Sequence, residues 1–132
     1  MSVVTEEGEV WHLKQVYGGA PREDLVVRLF GNNIDPDRKH TAASFMEVSG
    51  YGYAPRMIVP ADFSITTEGA KSEPVEWTFT GPLGWVYGYV VTGKDSGMSV
   101  WAHRLKEPRH VRVKGDSLTI TPAVRIRSAS GE

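Results

Sequence analysis

Short runs with a β-branched or aromatic residue at every second position, separated by glycine and proline, constrain this chain more than any other feature. Val75, Trp77 and Phe79 alternate with Glu76, Thr78 and Thr80; Leu118 and Ile120 alternate with Thr119 and Thr121; Val124 and Ile126 alternate with Arg125 and Arg127. A period of two puts one set of side chains on each face of a strand, and clean alternation predicts antiparallel pairing with one face wet. Trp85–Thr92 and Met98–Leu105 read as the arms of a hairpin closed by Lys94-Asp95-Ser96-Gly97, whose Asp and Gly tolerate positive φ. Val111 and Val113 form a further alternating pair before the Gly115-Asp116 turn.

The first half is less regular. Leu25–Phe30 is almost wholly apolar, which predicts a strand covered on both faces. Val10–Tyr17 reads as a strand with Trp11, Leu13 and Tyr17 on one face and His12 and Lys14 on the other. Thr41–Val48 is the only stretch with a helical reading, at most two turns, with Thr41 as cap and Phe45 and Val48 inward. Arg56–Val59 and Phe63–Ile65 add short strands. The expected fold is all-β: an antiparallel β-sandwich, jelly-roll-like, of eight or nine short strands with at most one short helix. Four tryptophans are expected to anchor its core. Residues 1–24 read as an N-terminal strand or arm that reaches a neighbouring subunit, 25–127 as a single sandwich domain, and 128–132 as a flexible tail.

At 132 residues the chain is long enough for one self-supporting core. It has no cysteine, which removes thiol nucleophiles, thiolate metal sites and disulfides from consideration. The net charge of −1 supplies no field that would steer the chain to nucleic acid or an anionic membrane. Charge is nevertheless segregated. Residues 1–24 carry five acidic and two basic side chains, a net of −3, whereas 101–132 carry seven basic and three acidic, a net of +4. Such ends are either solvated or paired with an oppositely charged surface. No apolar run approaches the ~20 residues of a membrane helix, and Met1–Glu7 lacks the basic and apolar segments of a signal peptide.

Chemistry-bearing patterns are absent from the sequence. His12, His40, His103 and His110 have no metal-ligand spacing, no Gly-x-Ser-x-Gly elbow occurs, and Gly81-Pro82-Leu83-Gly84 lacks the lysine of a phosphate loop. Asp35-x-Asp37 lacks the remaining oxygen ligands of a calcium loop. The expectation is a protein that is no enzyme and takes no cofactor or metal. Aromatic and arginine side chains on strands and turns are the alternative, because these residues anchor interfaces and stack on sugars. The candidate interface residues are Trp11, Tyr17, Tyr51, Tyr53, Tyr87, Tyr89, Arg109 and Arg112, with Tyr87 and Tyr89 on one face of their strand and Trp85 in phase.

Leu29-Phe30-Gly31-Asn32-Asn33, followed by Ala43-Ser44-Phe45-Met46-Glu47-Val48-Ser49-Gly50-Tyr51, resembles the opening of a group of small phage-encoded proteins. Later pieces are similar too: Trp77-Thr78-Phe79-Thr80, Val86–Thr92, the strand ending near Trp101, and Gly115–Pro122. The resemblance spans residues 25–122 and leaves 1–24 outside it. It implies a bacteriophage virion structural protein of the capsid decoration or cement kind. Such a protein would be assembled in the host cytoplasm, carried on the capsid surface, bound to the major capsid protein, and self-associated as a dimer or trimer, with no membrane or nucleic-acid partner. A tail, fibre or head-connector component, or a carbohydrate-binding sandwich used in host recognition, is the alternative.

Overall fold

A computed structural model of the chain describes residues 2–19, 22–67 and 69–125. Its organising unit is a long hairpin of β7 (Gly84–Gly93) and β8 (Ser99–Val111), closed at Gly97, where φ is +72°. β2 (Leu25–Phe30) pairs along the free side of β7 and carries β3 (Arg56–Ile58) on its outer edge; β1 (Ser2–Val4) covers the other edge of β8. The result is a five-stranded antiparallel sheet in the order β1-β8-β7-β2-β3. Facing it are two smaller antiparallel sheets. One is β10-β5-β4, from β4 (Phe63–Thr66), β5 (Gly69–Ser72) and β10 (Ala123–Arg125); the other pairs β6 (Val75–Thr78) with β9 (Ser117–Ile120). The fold is therefore an all-β, sandwich-like one. Among the described residues its sheets hold five, three and two strands, an arrangement that does not establish jelly-roll topology.

The core forms where alternating faces meet. Val75 and Trp77 of β6 stand opposite Ile120 and Leu118 of β9, all buried, while Glu76, Thr78 and Thr119 point to solvent. They pack onto Val27 and Leu29 of β2 and onto Tyr89, Val91, Val100 and Trp101 of the hairpin. On the reverse face of the large sheet, Phe30, Val90 and Ala102 make a second cluster with Phe45. β2 is thus covered on both sides, as its unbroken apolar run predicts. Val100 and Trp101, although adjacent, both join the main core, because the register of β8 slips by one residue against β7 between Val91 and Thr92.

Three expectations are corrected. The strand expected at Val10–Tyr17 is a helix, α1 (Glu6–Val16). Thr5 caps it by accepting a hydrogen bond from the Gly8 N–H at 2.9 Å, and Glu6, Glu7 and Glu9 in the first turn complement the helix dipole. Gly8 is the contact point: a Cβ there would stand 2.0 Å from the Val100 carbonyl oxygen, so only glycine lets the helix sit on β8. The helix expected at Thr41–Val48 shrinks to one 3-10 turn, Ala42–Ser44. Asn32 holds the segment from below, donating to the Ser44 carbonyl (3.0 Å) and accepting from the Met46 N–H (2.9 Å), and Val48 N–H bonds the Leu29 carbonyl. These long-range bonds extend the chain along β2 in place of a second helical turn. Finally, only Trp77 and Trp101 of the four tryptophans are core residues; Trp11 is half-buried and Trp85 is 48% exposed.

Residues 2–16 lie on their own chain. Ser2, Val3 and Val4 pair with His103, Ala102 and Trp101, and the fully buried Thr5 hydroxyl bonds Ser99. Glu7 accepts hydrogen bonds from the Ser99 backbone and hydroxyl, so part of the N-terminal acidity is consumed inside the fold. The strand expected through Arg127 is described as far as Arg125, and Val113 is exposed beyond the end of β8. The tail 128–132 lies outside the described residues.

Candidate functional site: an aromatic and cationic strip on the long hairpin

The hairpin carries a second irregularity. Val86 faces Arg109 and Gly88 faces Arg104, so two steps along β7 match five along β8 and the segment around Leu105–Pro108 bulges out. Pro108, which cannot donate a ladder hydrogen bond, fits such a bulge. The slip has a direct consequence for the aromatics. Tyr87 packs with the Phe30 cluster, whereas Tyr89, 2% exposed, belongs to the main core. The two tyrosines therefore lie on opposite sides of the sheet, against the expectation of a shared face. The Tyr89 hydroxyl accepts from the Ala123 N–H at 3.2 Å, its ring stacks on His103, and burial holds its pKa above the ordinary tyrosine value.

Trp85 stays in phase with Tyr87, and the pair is the centre of a continuous strip. The His110 ring lies flat on Trp85, with centroids 4.4 Å apart and planes within 8°. Trp85 and Tyr87 are 6.4 Å apart. The Arg104 guanidinium stands over Tyr87 at 5.4 Å from the ring centre and is anchored by the Ile34 carbonyl (3.1 Å) and the Asp35 carboxylate (3.4 Å). His110, Trp85, Tyr87 and Arg104 thus form a stacked row whose members fix each other's orientation. Cation–π and ring-stacking contacts of this kind are worth about 0.5–1.5 kcal/mol each. The Trp85 side chain remains half accessible.

The other candidates are scattered. Arg109 is exposed and donates to the Ser117 carbonyl (2.7 Å), tying β8 to β9. Arg112 is exposed; its backbone N–H, with that of Val113, bonds the Asp116 carboxylate, which those two donors hold below the usual carboxylate pKa. Tyr51 sits in a turn at φ +51°, half exposed, with its ring against Gly81. Tyr53 is a structural tie. Its hydroxyl donates to the Glu47 carboxylate and accepts from the Leu29 N–H (3.1 Å), its ring stacks on Trp77, and burial, with Glu47 adding to it, pushes its pKa far up. Tyr17, at the end of α1, is 82% exposed. Trp11 donates its indole N–H to Glu23 (3.2 Å) and forms one wall of a cavity of about 370 Å³ between α1 and the sheets, with Leu25, Ile58, Phe63, Trp101 and Val124. Glu23 at its rim is already engaged by the Asp95 and Ser96 N–H groups, so this carboxylate acts as a clamp on the β7–β8 turn.

Sequence reasoning named Tyr87 but not its neighbours Arg104 and His110. A signal was available: in a hairpin, residues equidistant from the turn stand opposite one another. The unpaired residues of β8 spoil that count by moving the partner of Trp85 to His110. Among the described residues, no three His, Asp or Glu side chains come together as a metal site, and no helix is long and apolar enough to cross a membrane. Comparison with family models, with curated proteins and with solved structures finds nothing that matches this chain.

Proposed function

We propose that this chain is a phage virion structural protein that works by surface contact, a capsid decoration or cement protein seated on the major capsid protein through the Trp85–His110–Tyr87–Arg104 strip. The strip is the observation that carries the reading. Aromatic rings and arginine are the residues that anchor protein interfaces, because they bring large contact area at small entropic cost. Here the row is pre-ordered by its own stacking on the longest strand pair of the fold, so little conformational freedom is lost on docking. The resemblance of residues 25–122 to small phage-encoded proteins supports the biological setting, since it implies a virion structural role without a defined site.

Cosedimentation with capsids built from the major capsid protein of the same genome tests this. Trp85→Ala is expected to weaken attachment at least tenfold while leaving the melting temperature within a few degrees of the parent. Undiminished attachment by Trp85→Ala and by Tyr87→Ala would reject the strip as the docking surface. Copy number in purified particles separates decoration, at hundreds of copies, from a tail or connector part at a few. Saturable glycan binding lost in Tyr87→Ala would replace the capsid reading with a carbohydrate-binding one.

A further inference from the structure

The cavity between α1 and the facing sheets measures about 370 Å³. Close packing leaves few voids larger than a water molecule, whereas ligand sites begin at about 300 Å³. Ile58, Val100 and Trp101 line it although each is at most 2% exposed, so the hollow reaches into the core. The ring that could fill it is held aside. Gly8 seats the start of α1 on Val100, and three residues on the Trp11 indole is tied to Glu23. Glu23 is itself fixed by the Asp95 and Ser96 N–H groups, so Trp11 stands as a pre-ordered wall. Phe63 and Trp101 supply two further aromatic walls. The mouth is charged. Glu23 and Asp24 line it against Arg22, a net of −1 with His12 neutral. Asp24 is half-buried, and its carboxylate has no hydrogen-bond or ion-pair partner among the described residues. Arg22 is exposed, so water screens its charge more than that of Asp24.

We propose that this cavity binds a small organic cation, with an apolar body among Trp11, Phe63 and Trp101 and an ammonium group at Asp24. Size and charge both select that class. An apolar cavity of about 150 Å³ holds one benzene ring, so this one has room for a body of about two rings. Aromatic ring faces and an unpaired carboxylate each attract a cation and disfavour an anion. The site shares no residue with the Trp85–His110–Tyr87–Arg104 strip, so either proposal can fail alone.

Isothermal titration calorimetry of the full chain at neutral pH, with probes that share one naphthalene body, separates the charge requirement from the apolar one. Naphthylmethylammonium is expected to bind saturably with a Kd below about 1 mM, at least about tenfold tighter than naphthylacetate. Asp24→Asn should erase that tenfold preference and leave the neutral naphthylmethanol unchanged. Ala70 is also part of the lining, so Ala70→Leu should fill the cavity and abolish binding of all three probes. Asp24→Asn removes no packed side chain, so it carries the test should Ala70→Leu fail to fold. No saturable binding of the ammonium probe, equal affinity for the ammonium and the carboxylate, or an undiminished preference in Asp24→Asn would overturn the proposal. Binding retained by a folded Ala70→Leu would overturn it too, because the probe would then lie elsewhere.

Discussion

Trp77 and Trp85 are the same residue type on consecutive strands of different sheets, with opposite duties. Trp77 is 3% exposed, donates its indole N–H to the Ala54 carbonyl at 2.7 Å and stacks on Tyr53. Trp77→Ala is expected to cost about 3–5 kcal/mol of stability, the range for deleting a large buried ring, and urea denaturation will read it. Trp85→Ala, by contrast, should cost only about 1 kcal/mol, the lower end for two ring contacts that stay half exposed. Two carboxylates make the acid limb predictable in sign. Burial pushes Glu23 up, but the N–H groups of Ser96 and Asp95 and the Trp11 indole outweigh it and bring the net pKa below its ordinary 4.5. Asp116 is likewise held down by the N–H groups of Arg112 and Val113. A folded-state pKa below the unfolded one stabilises at pH above the unfolded value, and that contribution is lost as pH falls through the folded value. Melting temperature should therefore fall between pH 5 and 3 (on the order of the unfolded carboxylate range), and Glu23→Gln should flatten that fall. An unchanged acid limb in Glu23→Gln would show that its clamp on the hairpin turn carries no net stability.

At the scale of elements, α1 shows how local and tertiary preferences divide. Thr5 followed by Glu6, Glu7 and Glu9 is a helix start that can be read directly, yet Val10, Trp11, His12, Val16 and Tyr17 are strand-prone and outvote it in a reading by residue type. The deciding contact is Gly8 on Val100, which is invisible without the partner strand. This gives a sign test. Gly→Ala inside a helix ordinarily stabilises by about 1 kcal/mol. Gly8→Ala should instead destabilise, because the new methyl would meet the Val100 carbonyl and lift α1 off β8; a raised melting temperature would show that the helix is not seated there. The strip is legible to the same partial degree. Its aromatic members follow from alternation along β7, while its cationic partner Arg104 and its stacking partner His110 depend on residues of β8 that carry no ladder partner. Nothing local to Leu105–Pro108 except Pro108 announces that slip.

At the scale of the whole molecule, the N-terminal segment closes the large sheet. β1 covers the edge of β8 through pairs about 100 residues apart in sequence, Ser2 with His103 and Val4 with Trp101. Removing residues 2–16 would bare that edge, take away Thr5 with its bond to Ser99, and open the cavity that Trp11 walls. The truncated chain is expected to melt lower and to aggregate through the exposed strand; a soluble truncation with an unchanged melt would mean that the segment is a dispensable appendage. The same long-range pairings predict refolding in roughly milliseconds to seconds, slower than a helical bundle of this length. What the sequence determined by itself is the periodic part: strands over 25–30, 75–80, 85–92, 98–105 and 118–121, the turn ending at Gly97 and the all-β class. Alternation is a local property, set by where successive side chains point. The tertiary structure alone decided which strands became neighbours, that 6–16 coils while 41–48 extends, and that Tyr87 and Tyr89 part company across the sheet. Each of those outcomes depends on hydrogen bonds or close contacts between residues far apart in the chain, and no local pattern encodes their distance.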